Sequence, residues 1–143
     1  MKNKYYRKLG IDYGDARVGL AITDALGITV QGLETIHHNN SDKQILKRLD
    51  EILQIYDIDT FVVGMPFNMN GSKTERVEKT EKFIHKLQCR FPNINIETID
   101  ERLTTVSAHK TMNDLNVNKY KKRNIVDTIS AEYILEIFVK RNT

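Results

Sequence analysis

The stretch LGIDYGDARVGLAI, Leu9 to Ile22, decides the fold class. Leu9 and Ile11 alternate with Gly10 and Asp12, and Val18, Leu20 and Ile22 alternate again beyond Gly14-Asp15. Two period-2 runs about a turn-forming pair predict a hairpin, with antiparallel strands over 5–13 and 17–24. Asp12 is then a strand residue, and strands seldom hold acids without a reason.

Outward from this hairpin, ITVQGLETI (28–36) is a third strand candidate that completes a meander, with Asp24 and Gly27 as turn residues. Ser41 is placed as the N-cap of a helix whose apolar face carries Ile45, Leu49, Ile52, Leu53 and Tyr56. TFVVGMP (60–66) is short and apolar on both faces, as a buried strand is. A loop with Gly71 in the left-handed region follows, and Ser72 and Glu75 stand at capping-box spacing ahead of a helix carrying Val77, Ile84 and Leu87 and ending before Pro92. INIETID (94–100) is the fifth strand candidate. A helix is expected from Thr104 or Thr105, with Val106, Met112 and Leu115. The polar stretch 113–124 reads as a loop, and a last helix runs from about Ile125 to Lys140 on the apolar positions Val126, Ile129, Tyr133, Ile137 and Phe138. Three strands followed by alternating helix and strand predict one α/β domain over 1–143: a mixed sheet with helices on its faces.

Composition bounds the function classes. The chain has 143 residues with 40% hydrophobic and 29% charged residues, which suits one soluble core. No apolar run approaches the roughly 20 residues of a membrane span, and the N-terminus lacks an apolar signal region. Cys89 is the single cysteine, so no intramolecular disulfide and no cysteine zinc site is expected, and a reducing cytoplasm is the default compartment. His37 and His38 are adjacent, face opposite sides of a strand, and read as a surface or strand-end pair. A net charge of +3 permits nucleic-acid binding without arguing it strongly.

Asp12, Asp100-Glu101 and Asp127 are the acids to explain. If the first and fifth strands are near neighbours and the last helix crosses their ends, these carboxylates meet at one edge of the sheet. Such a cluster suits hard divalent cations such as Mg²⁺. Two ions roughly 3.5–4 Å apart can activate a water and stabilise the leaving oxygen in phosphodiester hydrolysis. Each acid has a plainer reading. Asp127 would sit in the first turn of a helix capped by Asn124, where the dipole favours an acid. Asp100 or Glu101 could pair with Arg102, and Asp12 could cap the turn at Gly14.

Four segments, GIDYGDARVGLAITD (10–24), VVGMPFNMNGS (62–72), DERLTT (100–105) and VDTISAEYIL (126–135), resemble the YqgF (RuvX-like) family of the ribonuclease H-like superfamily. The resemblance implies a five-stranded mixed sheet with helices on both faces. It also implies a metal-dependent nuclease, since the family is described as candidate Holliday junction resolvases and candidate nucleases that process the 5′ end of precursor 16S rRNA. It implies Mg²⁺ or Mn²⁺ in a two-metal arrangement, with Asp12, Glu101 and Asp127 as catalytic and metal-binding acids. RuvC-type resolvases are expected to carry an acid after the fourth strand. Here Gly64-Met65-Pro66 has none, so DERLTT must supply the middle acid. Period-2 alternation favours Glu101 over Asp100.

Arg17, Arg102 and the run KYKKR (119–123), with Lys121, Lys122 and Arg123, are the candidate phosphate contacts. KYKKR alone also suits a solvated loop. The expected partner is structured RNA or branched DNA, with no membrane. A homodimer is allowed, although nothing in the sequence marks a dimer face. Two other classes compete. Sugar kinases and actin-like ATPases share the core and an Asp-x-Gly turn, but need two lobes, and GMPFNMNGSKT is not a P-loop. A non-catalytic binding module would keep the same acids without turnover.

Overall fold

The computed structural model describes residues 5–68, 70–103 and 119–142, the side chains of 119–127 excepted. Its elements run β1 (Arg7–Tyr13), β2 (Arg17–Thr23), β3 (Val30–His37), α1 (Asp42–Ile55), β4 (Ile58–Met65), α2 (Glu75–Arg90), β5 (Asn95–Asp100), a 3₁₀ turn (Glu101–Leu103) and α3 (Lys119–Arg141). The five strands form one sheet in the order β3-β2-β1-β4-β5. The meander β1-β2-β3 is antiparallel, while β4 and β5 join β1 in parallel.

Alternation along β1 divides the core. Leu9 and Ile11 point to the face covered by α1 and α2, among Leu20, Ile45, Leu49, Phe61, Phe83 and Leu87. Phe83, absent from the expected apolar stripe of its helix, is fully buried and stacks on Tyr13 with ring centroids 4.3 Å apart. On the other face Ala21, Val62 and Ile99 meet Ala131, Ile134 and Leu135 of α3. Each such fully buried aliphatic or aromatic side chain contributes about 1.5–3 kcal/mol. α3 lies close because Gly10 offers it no side chain. A Cβ there would stand 2.8 Å from the Ala131 carbonyl oxygen.

Several expected boundaries are corrected. Ser72 does not cap α2: its amide bonds Asn70 Oδ1 and its hydroxyl accepts from Asn68, within the loop turned by Gly71 at φ 84°. Thr74 is the cap, its hydroxyl accepting from the Val77 amide at 3.2 Å. Ser41 is the N-cap residue of α1, without a side-chain cap hydrogen bond. The last helix begins at Lys119 rather than near Ile125, so residues 119–124 are helical and not a loop. Helix propensity explains this, since lysine and arginine are good helix formers and no glycine or proline interrupts the run. Asp127 is thus well inside α3, beyond the reach of the N-terminal dipole, and Asn124 is not a cap. The helix expected from Thr104 or Thr105, with Val106, Met112 and Leu115, lies outside the described residues, as does 113–118.

Candidate active site

Asp12 is the penultimate residue of β1, two beyond Gly10 and on the same face as α3. The pairs Ile11–Val63 and Gly64–Ile99 bring the ends of β1, β4 and β5 level with one another. Between Asp12 and the end of β5 stands Gly64, which has no side chain. Glu101, in the 3₁₀ turn directly after β5, lays its side chain across this gap: a Cβ on Gly64 would be 2.7 Å from Glu101 Cγ and 2.9 Å from Glu101 Cδ. The missing side chain at Gly64, in β4, leaves the space that the Glu101 side chain occupies.

Asp12 and Glu101 therefore converge. Burial pushes the Glu101 carboxyl well above the ordinary carboxylate range, and the hydrogen bond and the charge of Asp12 add to the shift, while the Arg76 guanidinium opposes it. Oδ1 of Asp12 is buried without a hydrogen-bond partner. Two close carboxyl groups, one of them presenting an orphaned oxygen, are hard oxygen donors short of positive charge. That donor set fits a divalent cation of the Mg²⁺ or Mn²⁺ class. Among the described residues no group of three such ligands forms, and the Asp127 side chain lies outside them.

Glu101 lies beyond the strand's alternation, in the 3₁₀ turn, whereas Asp100 is the last residue of β5. Asp100 is engaged by Arg102, with Nη2 2.5 Å from Oδ2 and the backbone amide 3.0 Å from Oδ1, and Arg102 holds its carboxyl below the usual range. Arg102 also stands over the Phe67 ring, 5.9 Å from its centroid.

A cavity of about 300 Å³ opens beside Asp12, lined by the turn Tyr13–Ala16, Arg17 and Arg76. The turn is fixed from behind. The His38 amide bonds the Ala16 carbonyl, and His38 Nε2 meets the Gly14 carbonyl at 2.9 Å. A carbonyl only accepts, so Nε2 carries the hydrogen. The histidine pair sits at the end of β3, with His37 exposed and His38 buried. Tyr13 donates to Asp42 Oδ1 at 2.8 Å, and burial together with Asp42 raises its phenol. Arg17 lines the cavity; the side chains of Lys121, Lys122 and Arg123 lie outside the described residues. Arg76 escaped sequence reasoning. The signal for it was topological: the loop leaving β4 starts at the acid edge, so the first cation of the next helix must return near that edge.

A model of the RuvX family, described as Holliday junction resolvase, matches residues 6–141. The chain belongs to the RuvX family. Two relatives, from Ruminiclostridium cellulolyticum and Acetivibrio thermocellus, carry the name "Putative pre-16S rRNA nuclease". The first is 51% identical over 135 residues, 94% of each chain. The second is 48% identical over 130 residues, 91% of this chain and 92% of its own. Among solved structures, "T. thermophilus RuvC in complex with Holliday junction substrate" aligns with a TM-score of 0.57 at 12% identity, covering 96% of both chains. That likeness shows the fold, and the RuvX chain is ribonuclease H-like in architecture. No helix of the described residues is long and apolar enough to cross a membrane.

Proposed function

We propose that this RuvX-family protein is a metal-dependent nuclease that hydrolyses phosphodiester bonds in the 5′ processing of precursor 16S rRNA. The observation that carries the reading is Asp12, which has a buried unpartnered oxygen, pairs with the Glu101 carboxyl, and lines a cavity together with Arg17 and Arg76. Two relatives at about half identity bear the corresponding name.

Asp12 and Glu101, with Asp127 as the third acid suggested by its motif, would hold Mg²⁺ or Mn²⁺ in a two-ion arrangement. Such ions supply Lewis-acid stabilisation of charge on the phosphate and promote ionisation of the attacking water. The chain itself does the rest. Gly64 admits the Glu101 side chain, His38 holds the Gly14–Ala16 turn, and Arg17 lies where a backbone phosphate enters. The chain acts as a single nuclease domain over 1–143 in the cytoplasm, where precursor rRNA is found.

Hydrolysis of branched DNA is the second reading, favoured by the description of the RuvX family model. One assay separates them: precursor 16S RNA and a four-way DNA junction are offered side by side with Mn²⁺, to wild type and to Asp12→Asn. Cleavage of the RNA 5′ region by wild type alone is expected. Equal cleavage by Asp12→Asn sinks the mechanism, and cleavage of the junction alone selects the second reading. Calorimetry with Mn²⁺ tests the non-catalytic module, because a chain that binds no metal with or without RNA is not this enzyme.

A further inference from the structure

The Asp12 cavity has a cation that no motif assigned. Arg76 is the second residue of α2, and its position follows from the residues around it. The Thr74 hydroxyl accepts from the Val77 amide and lies 3.5 Å from the Pro66 carbonyl, tying the start of α2 to the loop that leaves β4 beside the acids. Val77 and Thr80 are buried, which fixes the helix rotation. Arg76 is left exposed and faces the cavity that Asp12 and Arg17 also line. Its charge is felt at Glu101.

A phosphodiester entering this cavity meets the carboxyl groups of Asp12 and Asp15, which line it and repel an anion. Cations on the facing wall must offset that repulsion, and they must do so most where charge builds on the non-bridging oxygens. Arg17 is anchored in β2, close to the turn. Arg76 approaches from a separate element, with a planar guanidinium suited to two phosphate oxygens at once. We propose that Arg76 contacts the scissile phosphate of the nucleic-acid substrate and stabilises the charge that develops there during cleavage. The proposal rests on the nuclease reading for its catalytic half and on the cavity alone for the contact.

The test uses the full chain, a 5′-labelled precursor 16S RNA fragment, and the variants Arg76→Ala, Arg76→Lys and Asp12→Asn. Two quantities are read: the salt dependence of RNA binding in Ca²⁺, and the single-turnover cleavage rate in Mn²⁺ at saturating protein. Loss of one phosphate contact lowers the slope of log affinity against log salt by about one. Loss of an oxyanion-type donor lowers the rate by about 10²-fold. Arg76→Ala is expected to do both, Arg76→Lys to restore the slope and part of the rate, and guanidinium ion to raise the Arg76→Ala rate. A reduced slope with an unchanged rate overturns the catalytic half. An unchanged slope overturns the contact, whatever the rate does. If wild type cleaves nothing, the nuclease reading has failed together with the catalytic half, and the slope still decides the contact. Circular dichroism of each variant excludes misfolding as the cause.

Discussion

Replacing Gly64 with alanine adds one carbon at the point where three elements meet. The new Cβ would lie 2.5 Å from Ile134 Cδ1, 2.7 Å from Glu101 Cγ and 2.9 Å from Glu101 Cδ. None of these separations is tolerable, so something moves. Ile134 is fully buried in the α3 layer, packed in one cluster with Val62 and Leu135. Glu101 is freer, but moving it takes its carboxyl away from Asp12. Overpacking of this kind costs about 1–3 kcal/mol. Against it, alanine restricts the unfolded chain and returns about 0.4–1 kcal/mol. The net loss is about 1–2 kcal/mol, or roughly 2–8 °C in Tm for a chain of this size. The catalytic loss is larger, because a carboxylate displaced by about 1 Å can cost 10²-fold. Differential scanning calorimetry and Mn²⁺ titration are the assays. A Gly64→Ala protein with wild-type Tm and wild-type Mn²⁺ affinity would refute the idea that this glycine admits Glu101.

Other outcomes follow from the same structure. Glu101 keeps its proton in the folded chain at pH values where the unfolded chain has lost it, so metal-free folding takes up a proton. Its stabilising contribution is present in full below the ordinary glutamate range and falls as pH rises through the folded value. Urea unfolding in EDTA should show wild type losing about 1–3 kcal/mol more than Glu101→Gln between pH 5 and pH 8; equal pH slopes would contradict the carboxyl pairing. Thr74→Ala should cost about 1 kcal/mol and Ser72→Ala less than about 0.5, since only Thr74 caps α2. The reverse ranking in thermal melts would restore the capping box. His38→Phe removes the partner of the Gly14 carbonyl and should destabilise by about 1–2 kcal/mol. It should also speed amide exchange in the Gly14–Ala16 turn, and unchanged exchange there would show that the histidine does not hold it.

The sequence alone determined the elements built on strong periodicity. Alternation in 9–22 specified the hairpin, and the apolar run 60–66 specified an interior strand, because burial on one face or both leaves a local record. Alternation past Ile99 favoured Glu101 over Asp100, but the strand ends at Asp100 and Glu101 belongs to the 3₁₀ turn that follows. Features without a local record were misread. Serine is the better intrinsic N-cap of the two, yet the fold of the 68–72 loop uses Ser72 within the loop and leaves Thr74 to cap the helix. The start of α3 at Lys119 shows no apolar periodicity to mark it. Tertiary structure alone decided the site: parallel pairing of β1, β4 and β5 sets their ends level, and the missing side chain at Gly64 lets an acid from the turn after the fifth strand meet one from the first. The same pairing returns Arg76 to the cavity from 64 residues beyond Asp12. Which acids and cations are present is written along the chain. Which of them share a space depends on long-range pairing that no local pattern encodes.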